Sequence, residues 1–430
     1  MAGMNSVSRR RLLTRLASPL PAVALAGAAR LGLATPSPRR ELVFWTMQLA
    51  PFHNDYVNGL IAGFEAAHPG VRVKWVDVPW AEAERKVLAS LAAGTAPDVV
   101  NLNPQFSSRL AELGALADPR KHLSAAEQAA YLPSAWAANQ LAGVPFALPW
   151  YLSTTVTLFR RDLLERAGTE PPASFDELRR AAQALRERTD TYAWFPAMDG
   201  SAPLENLVSM AGPLLTPDGC RPGFDSPAGV AAFEFHRELY QRQWIPRSVL
   251  TEGHRSAVAQ FLSGQVAMVA TGMQFIGHLR RNNPGLYAQV GVAPQVASAR
   301  APPNIAAMNL AVPTASAQPA LAFAFAQFVT NADNQLALVR RVPLLPSTRA
   351  SYDDALFQQP SGDALLDQAR AISVRQVFEG AVLVPPLRHY NKLRSSFVRQ
   401  LQSAMVGRSS AQAAVQEVCR LWTPLLGCRA

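Results

Sequence analysis

The side chains best placed to do chemistry in this sequence stand just after short apolar runs. Gln48 follows Glu41 to Thr46, Asp77 and Trp80 follow Val71 to Val76, and Asn103 and Gln105 follow Pro97-Asp98-Val99-Val100. Amides and carboxylates at such places can form paired hydrogen bonds to hydroxyl groups, and a flat indole can stack on a C–H face. That is the chemistry of holding a polar solute. The spacings that covalent or hydrolytic chemistry needs are missing: there is no GxSxG, HExxH, P-loop or GxGxxG, and the seven histidines are widely spaced with no cysteine beside them. Two carboxylates acting across a glycosidic bond are the one enzymatic arrangement the sequence leaves open. No cofactor and no metal site is expected.

These residues need a frame, and the sequence supplies one. Asn54 to Ala67 carries Val57, Leu60, Ile61 and Phe64 at helical spacing, and Pro69-Gly70 ends it. Val71 to Val76 alternates as a strand, Ala81 to Ala93 reads as a helix that Gly94 caps, and Pro97-Asp98 opens a buried strand. Strand and helix in alternation predict a parallel sheet covered by helices. From Pro149 a second region of the same style begins. Ser174-Phe175-Asp176-Glu177 is a capping box that predicts a helix through Arg188, and Ser226-Pro227 opens another that runs to about Gln243. Ser256 to Leu262 reads as a helix, and Val266 to Val269 as a strand.

A chain of 430 residues exceeds what one hydrophobic core usually fills, so two domains are expected. Apolar residues make up 49% and charged residues 17%, a globular composition. The net charge of +10 is no nucleic-acid footprint: Arg9, Arg10, Arg11, Arg15 and Arg30 crowd the first 34 residues, and the other basic residues are scattered beside acids.

Those first 34 residues have the parts of an export signal, with a basic start, an apolar middle from Leu16 to Leu33 and small residues for cleavage. Ser8-Arg9-Arg10-Arg11-Leu12-Leu13 is similar to the twin-arginine pattern. Leu25-Ala26-Gly27-Ala28 resembles a lipoprotein box with alanine in place of the lipid-bearing cysteine, so a soluble periplasmic protein without a lipid anchor is expected. Of the three cysteines, Cys419 and Cys428 are close enough to pair and leave Cys220 free, or all three are inert small residues.

The run Val78-Pro79-Trp80 through Lys86-Val87-Leu88-Ala89-Ser90-Leu91-Ala92-Ala93-Gly94-Thr95-Ala96-Pro97-Asp98-Val99-Val100 resembles the family 1 extracellular solute-binding proteins of ABC importers, the maltose and glycerol-3-phosphate receptor type. Gly143-Val144-Pro145 with Pro149-Trp150-Tyr151, Phe159 to Leu164, Phe261 to Gly272, Phe325 to Leu336 and Gly407 to Val415 extend the likeness in order. The resemblance implies an α/β, two-lobed periplasmic-binding-protein fold of type II, with discontinuous lobes, a hinge and a central ligand cleft. It places the first lobe at 40–149 plus 276–331 and the second at 150–275 plus 332–430. It implies a carbohydrate ligand, membrane permease subunits as partners, a monomer, and no nucleic acid.

Within that resemblance the loops bearing Gln48, Asp77, Trp80, Asn103 and Gln105 converge on the cleft, where α/β sheets place ligands. Trp150 and Tyr151 lie on the stretch that passes through the hinge, and Glu205 lies in a second-lobe region that contributes to binding. Gly272-Met273-Gln274 stands where the family has glycine, proline and an aromatic, so a hydrogen bond replaces stacking there. Asn309, Arg388 and Tyr390 complete the expected site. Asp98 recurs in the family whatever is bound and is read as structural. Arg388 is the residue that would serve a phosphate, the ligand of the glycerol-3-phosphate alternative. Ferric-ion receptors of this plan use neighbouring tyrosines, and none of the eight tyrosines here adjoins another. The balance of Gln, Asn, Trp and Tyr favours a neutral disaccharide or a small glycoside such as glucosylglycerol.

Overall fold

The computed structural model describes residues 40–427; the export-signal and lipoprotein-box readings, and Cys428, fall outside them. Eleven strands are found there: β1 (Arg40–Met47), β2 (Val71–Val78), β3 (Val99–Leu102), β4 (Gln140–Leu141), β5 (Val144–Pro145), β6 (Leu148–Thr154), β7 (Val156–Arg160), β8 (Met268–Thr271), β9 (Val290–Pro294), β10 (Ile305–Ala311) and β11 (Leu345–Pro346). The main sheet has the order β11-β6-β10-β3-β1-β2, and a second has the order β8-β7-β9. β1 pairs in parallel with both β2 and β3, as the strand–helix alternation predicts. β10 returns antiparallel between β3 and β6.

The helices that cover the main sheet begin where the sequence marks them. Helix α1 (Asn54–Ala67) buries Tyr56, Val57, Leu60 and Phe64, one face of a 3.6-residue period. Helix α2 (Trp80–Ala92) ends at a glycine with φ of +69°, and α3 (Pro104–Glu112) is capped by the Asn103 side chain. In the second region Ser174 and Glu177 form the expected capping box on the helix Phe175–Thr189, and Ser226 caps Pro227–Gln241.

Two large apolar cores form around the two sheets. Phe44, Phe64, Trp150 and Phe325 anchor the one beneath the six-stranded sheet. Phe224, Phe233, Phe397 and Trp422 anchor the other, in edge-on aromatic contacts 5.1 to 6.4 Å between centroids. The chain passes from sheet to sheet through a single residue, Thr155, between β6 and β7, and returns through residues 295–304 between β9 and β10.

Two carboxylates tie the first sheet together. Asp98 accepts from the Val43 amide (2.9 Å), the Ser316 hydroxyl (2.6 Å) and the Gln318 amide group (3.2 Å), a structural role matching its sequence reading. The cysteines differ from the sequence expectation. Cys220 is disulfide-bonded, whereas Cys419 is a free thiol buried in a helix, so Cys419 is not the residue that pairs. Burial, with Asp225 nearby, pushes its thiol up to about 12.

Candidate functional site

The second carboxylate, Asp77, leads to the site. It sits at the end of β2 and accepts hydrogen bonds from the Thr46 hydroxyl (2.6 Å), the Leu49 amide (3.0 Å) and the Ala50 amide (3.1 Å). Trp75 Nε1 in turn donates to Thr46 Oγ1 at 2.7 Å. These bonds pin the loop after β1, which carries Gln48 in a left-handed conformation (φ +55°) and leaves Phe52 89% exposed. Asp77, expected as a ligand contact, thus spends its acceptors on the loop that presents Gln48. Trp80, at the start of α2, is 45% exposed. The Asn103 carbonyl oxygen caps α3 by accepting from the Phe106 amide (2.8 Å), which leaves its NH₂ group for other partners.

Two neighbouring concavities contain some of the remaining expected contacts. The first, about 400 Å³, is bounded on one side by Gln105, Arg109 and Glu112 of α3 and on the other by Leu387, His389 and Tyr390. The His389 amide donates to Glu112 (3.3 Å), and its ring nitrogen lies 3.4 Å from the same carboxylate. The helix Tyr390–Met405 belongs to the second core, so this contact spans the two halves of the molecule. The second cavity, about 340 Å³, is lined by Thr155, Trp194, Phe195, Asp199, Glu205, Asn206, His254, Gly272, Gln274 and Gln295, among others. Tyr390 joins the two, because its hydroxyl reaches the carbonyl of Gly200 in the second cavity at 3.5 Å. Arg394 donates to the carbonyls of Gly200 and Met198 (2.6 Å to the latter) and fixes that wall from behind.

Of the residues expected from sequence, Gln105 and Tyr390 therefore meet in one cavity, and Glu205, Gly272 and Gln274 in the other. A Cβ at Gly272 would lie 2.1 Å from Gln274 Oε1, so the glycine leaves room for that amide to fold back. Others are placed elsewhere. Trp150 is 0% exposed in the core against Phe44, and Asn309 is 0% exposed, donating to Ser107 Oγ at 3.2 Å. Both occupy central strands covered on both faces, so neither side chain reaches an open surface. Met273 is likewise buried, Tyr151 is half-buried on β6, and Arg388 is exposed and lines neither cavity.

The second cavity is electrically one-sided. Burial raises the Glu205 carboxyl above the usual carboxylate range, opposed by hydrogen bonds from Ser201 (2.5 Å) and Asn304. Burial lowers His254, with Asp199 pulling the other way, which favours a neutral imidazole. The His254 amide donates to Asp199 Oδ1 at 3.0 Å, and a Cβ at Gly253 would strike the Asp199 carboxylate at 2.2 Å. Burial pushes the Tyr390 hydroxyl up to about 12. Asp199, His254 and Gln295 escaped the sequence reading because they stand in irregular segments or at a helix start with no periodic pattern, and Asn206 because it lies mid-helix beside Glu205 with nothing local to mark it. Among the described residues, no group of three or more His, Cys, Asp or Glu could hold a metal ion, and no helix is long and apolar enough to cross a membrane.

Comparison with known proteins gives the fold and the family. The family model of bacterial extracellular solute-binding proteins matches residues 51–336. A crystal structure of a candidate oligosaccharide periplasmic-binding protein from Synechococcus sp. MITs9220 is 36% identical, with 90% of this chain and 98% of that one covered and a TM-score of 0.84. The GacH receptor of Streptomyces glaucescens, solved unliganded and with acarbose, is 24% identical, with 91% and 100% covered and a TM-score of 0.76. The mannitol-binding protein of Pseudomonas aeruginosa is 22% identical over 82% of this chain and 86% of its own. This chain belongs to the bacterial extracellular solute-binding protein family, with a two-lobed α/β fold that serves binding and not catalysis.

Proposed function

We propose that this protein is the extracytoplasmic substrate-binding subunit of an ABC importer for a carbohydrate, a disaccharide or a small glycoside such as glucosylglycerol. The observation that carries the reading is the second cavity, where amide, hydroxyl and carboxylate groups stand beside Trp194 and Phe195 and no arginine or lysine contributes to the wall. Hydroxyl-rich solutes both donate and accept, and such a lining satisfies them while apolar ring faces meet the aromatics. The names of the relatives, an oligosaccharide receptor, a mannitol-binding protein and a receptor solved with acarbose, lean the same way. A phosphate ligand has little support in the second cavity, where neither Arg388 nor any other arginine or lysine lines the wall; Arg109 and Lys392 line the first cavity.

On this reading the lobes follow the two sheets. β6 and β11 then stay with the six-stranded sheet and β9 with the three-stranded one, which moves the lobe boundaries from 149 to about 155, from 276 to about 295 and from 331 to beyond 346. Closure about the crossings at 155 and 295–304 brings α3 against the loop at His389, and the closed form is what membrane permease subunits read. The protein works as a periplasmic monomer, exported by a cleaved twin-arginine-type signal in residues 1–34 and not lipidated.

A thermal-shift screen of the chain from Thr35 onward tests the reading, because a ligand that binds only the native state must raise its melting temperature. Mono- and disaccharides and glucosylglycerol are expected to raise it, and glycerol 3-phosphate and ferric ion are not. A rise with glycerol 3-phosphate alone would replace the carbohydrate reading.

A further inference from the structure

The wall of the second cavity holds two carboxylates, Asp199 and Glu205, and neither forms an ion pair among the described residues. The charged and titratable groups around Glu205 come from three directions. Asp199 and His254 share its cavity, Tyr390 faces it from the start of the helix Tyr390–Met405, and Arg394 of that helix stands behind, its guanidinium committed to the carbonyls of Met198 and Gly200. Among the described residues the groups that hold Glu205 are neutral donors, Ser201 at the N-cap of its own helix and Asn304 from the segment that returns to β10. A desolvated carboxylate without a counter-ion either keeps its proton or draws a cation to itself. An anionic solute meets repulsion there that no wall cation offsets.

We propose that Glu205 makes this cavity a charge filter, which accepts neutral glycosides, holds glycosides bearing a protonated amine more tightly, and turns away those bearing a carboxylate or phosphate. The inference rests on the carbohydrate reading above and adds to it the residue that sets the ligand's charge. Like charges confined in a poorly solvated site repel strongly, whereas an amine would supply the counter-ion the fold omits. Glu205 acts here by direct contact with the solute, and Asp199 adds to the field from the cavity edge.

Matched probes decide it by calorimetry at pH 7.5: glucose, glucuronate and glucosamine, and glucosylglycerol, glucosylglycerate and the glucoside of 2-amino-1,3-propanediol. In at least one set the amine is expected to bind about tenfold tighter than the neutral member, and the carboxylate at least tenfold weaker. Glu205→Gln should compress each set to within about threefold, with Glu205→Ala as a second variant in case the glutamine disturbs Asn304. A ligand-free readout accompanies them. Because the folded-state carboxyl lies above its unfolded value, ionisation costs the native state stability as pH rises through that interval, so the melting temperature of Glu205→Gln should gain on wild type between pH 5 and 8. Equal binding of neutral and anionic members by the wild type, or a melting-temperature gap that stays flat with pH, overturns the filter and leaves the carbohydrate reading standing. Failure of every probe to bind overturns both.

Discussion

Trp150→Ala separates a core role from a cleft role at one position. The indole is completely buried and packs against Phe44, at 6.4 Å between ring centroids, and Tyr151, at 5.3 Å. A buried tryptophan withdraws about 150–250 Å² from water, which at about 25 cal/mol/Å² corresponds to roughly 4–6 kcal/mol as an upper bound. Measured truncations of this kind cost about 3–5 kcal/mol. With roughly 390 folded residues and an unfolding entropy near 2.1 cal/mol/K for each, that loss lowers the melting temperature by about 4–6 °C if the two lobes unfold together. If the lobe around the six-stranded sheet melts first, its own transition falls further. Differential scanning calorimetry of the unliganded protein reads both cases, and calorimetric titration at 20 °C reads affinity in the fraction still folded. The expected outcome is a large stability loss with affinity nearly unchanged. A variant that melts within 1 °C of the wild type but binds its glycoside ten times more weakly would refute the argument and return Trp150 to the cleft.

Two further outcomes follow from particular hydrogen bonds. Asp77→Ala strips the acceptor from two backbone amides and one hydroxyl, so hydrogen exchange in residues 48–53 should accelerate while the rest of β1 stays protected. If Gln48 touches the solute, affinity falls as well, and unchanged exchange would show that Asp77 does not hold the loop. His236 is buried beside Phe235 with its Nδ1 directed at the Ala232 carbonyl (2.9 Å), and burial lowers its pKa. A histidine whose folded pKa is depressed stays neutral in the native state while the unfolded chain takes up a proton. Stability should therefore hold above about pH 6.5 and fall as pH drops below it. His236→Gln should flatten that decline between pH 7 and 5 in melting-temperature scans, and an unaltered slope would assign the acid sensitivity to other groups.

Much of the frame was legible because local signals agreed with one another. The face of α1, the Ser174–Glu177 box and the parallel strand–helix alternation all depend on residues a few positions apart, and the structure reproduces them. Asp98 was legible through the family resemblance, in which it recurs whatever is bound, and its three acceptor contacts match that reading. The site was less so. Trp150 and Asn309 have the right chemistry for a glycoside, but β6 and β10 lie in the interior of the six-stranded sheet, and neighbour strands are a tertiary fact that no short window contains. Conversely Asp199 and His254 carry no periodic pattern, and they meet only because the turn at Gly253 lets one carboxylate lie against it. The disulfide was missed because proximity in sequence, Cys419 to Cys428, is a poor guide to which thiols are joined.

The position of β10 has a consequence for the order in which the molecule can be made. It is inserted between β3 and β6, yet it is synthesised roughly two hundred residues after β3. At about 5–20 residues per second a ribosome needs on the order of 10–40 s to cover that distance, and once β6 has been made the nascent sheet has an unfilled slot with unpaired amides on both sides until β10 arrives. The three-stranded sheet waits similarly for β9. The six-stranded sheet is complete only at Leu345–Pro346 and the second core only with Trp422, so a chain that crosses a membrane does so either before any lobe is complete or after most of it has been made. An exporter that accepts only finished proteins suits the second option, and a chaperone that keeps the open slot covered suits the first.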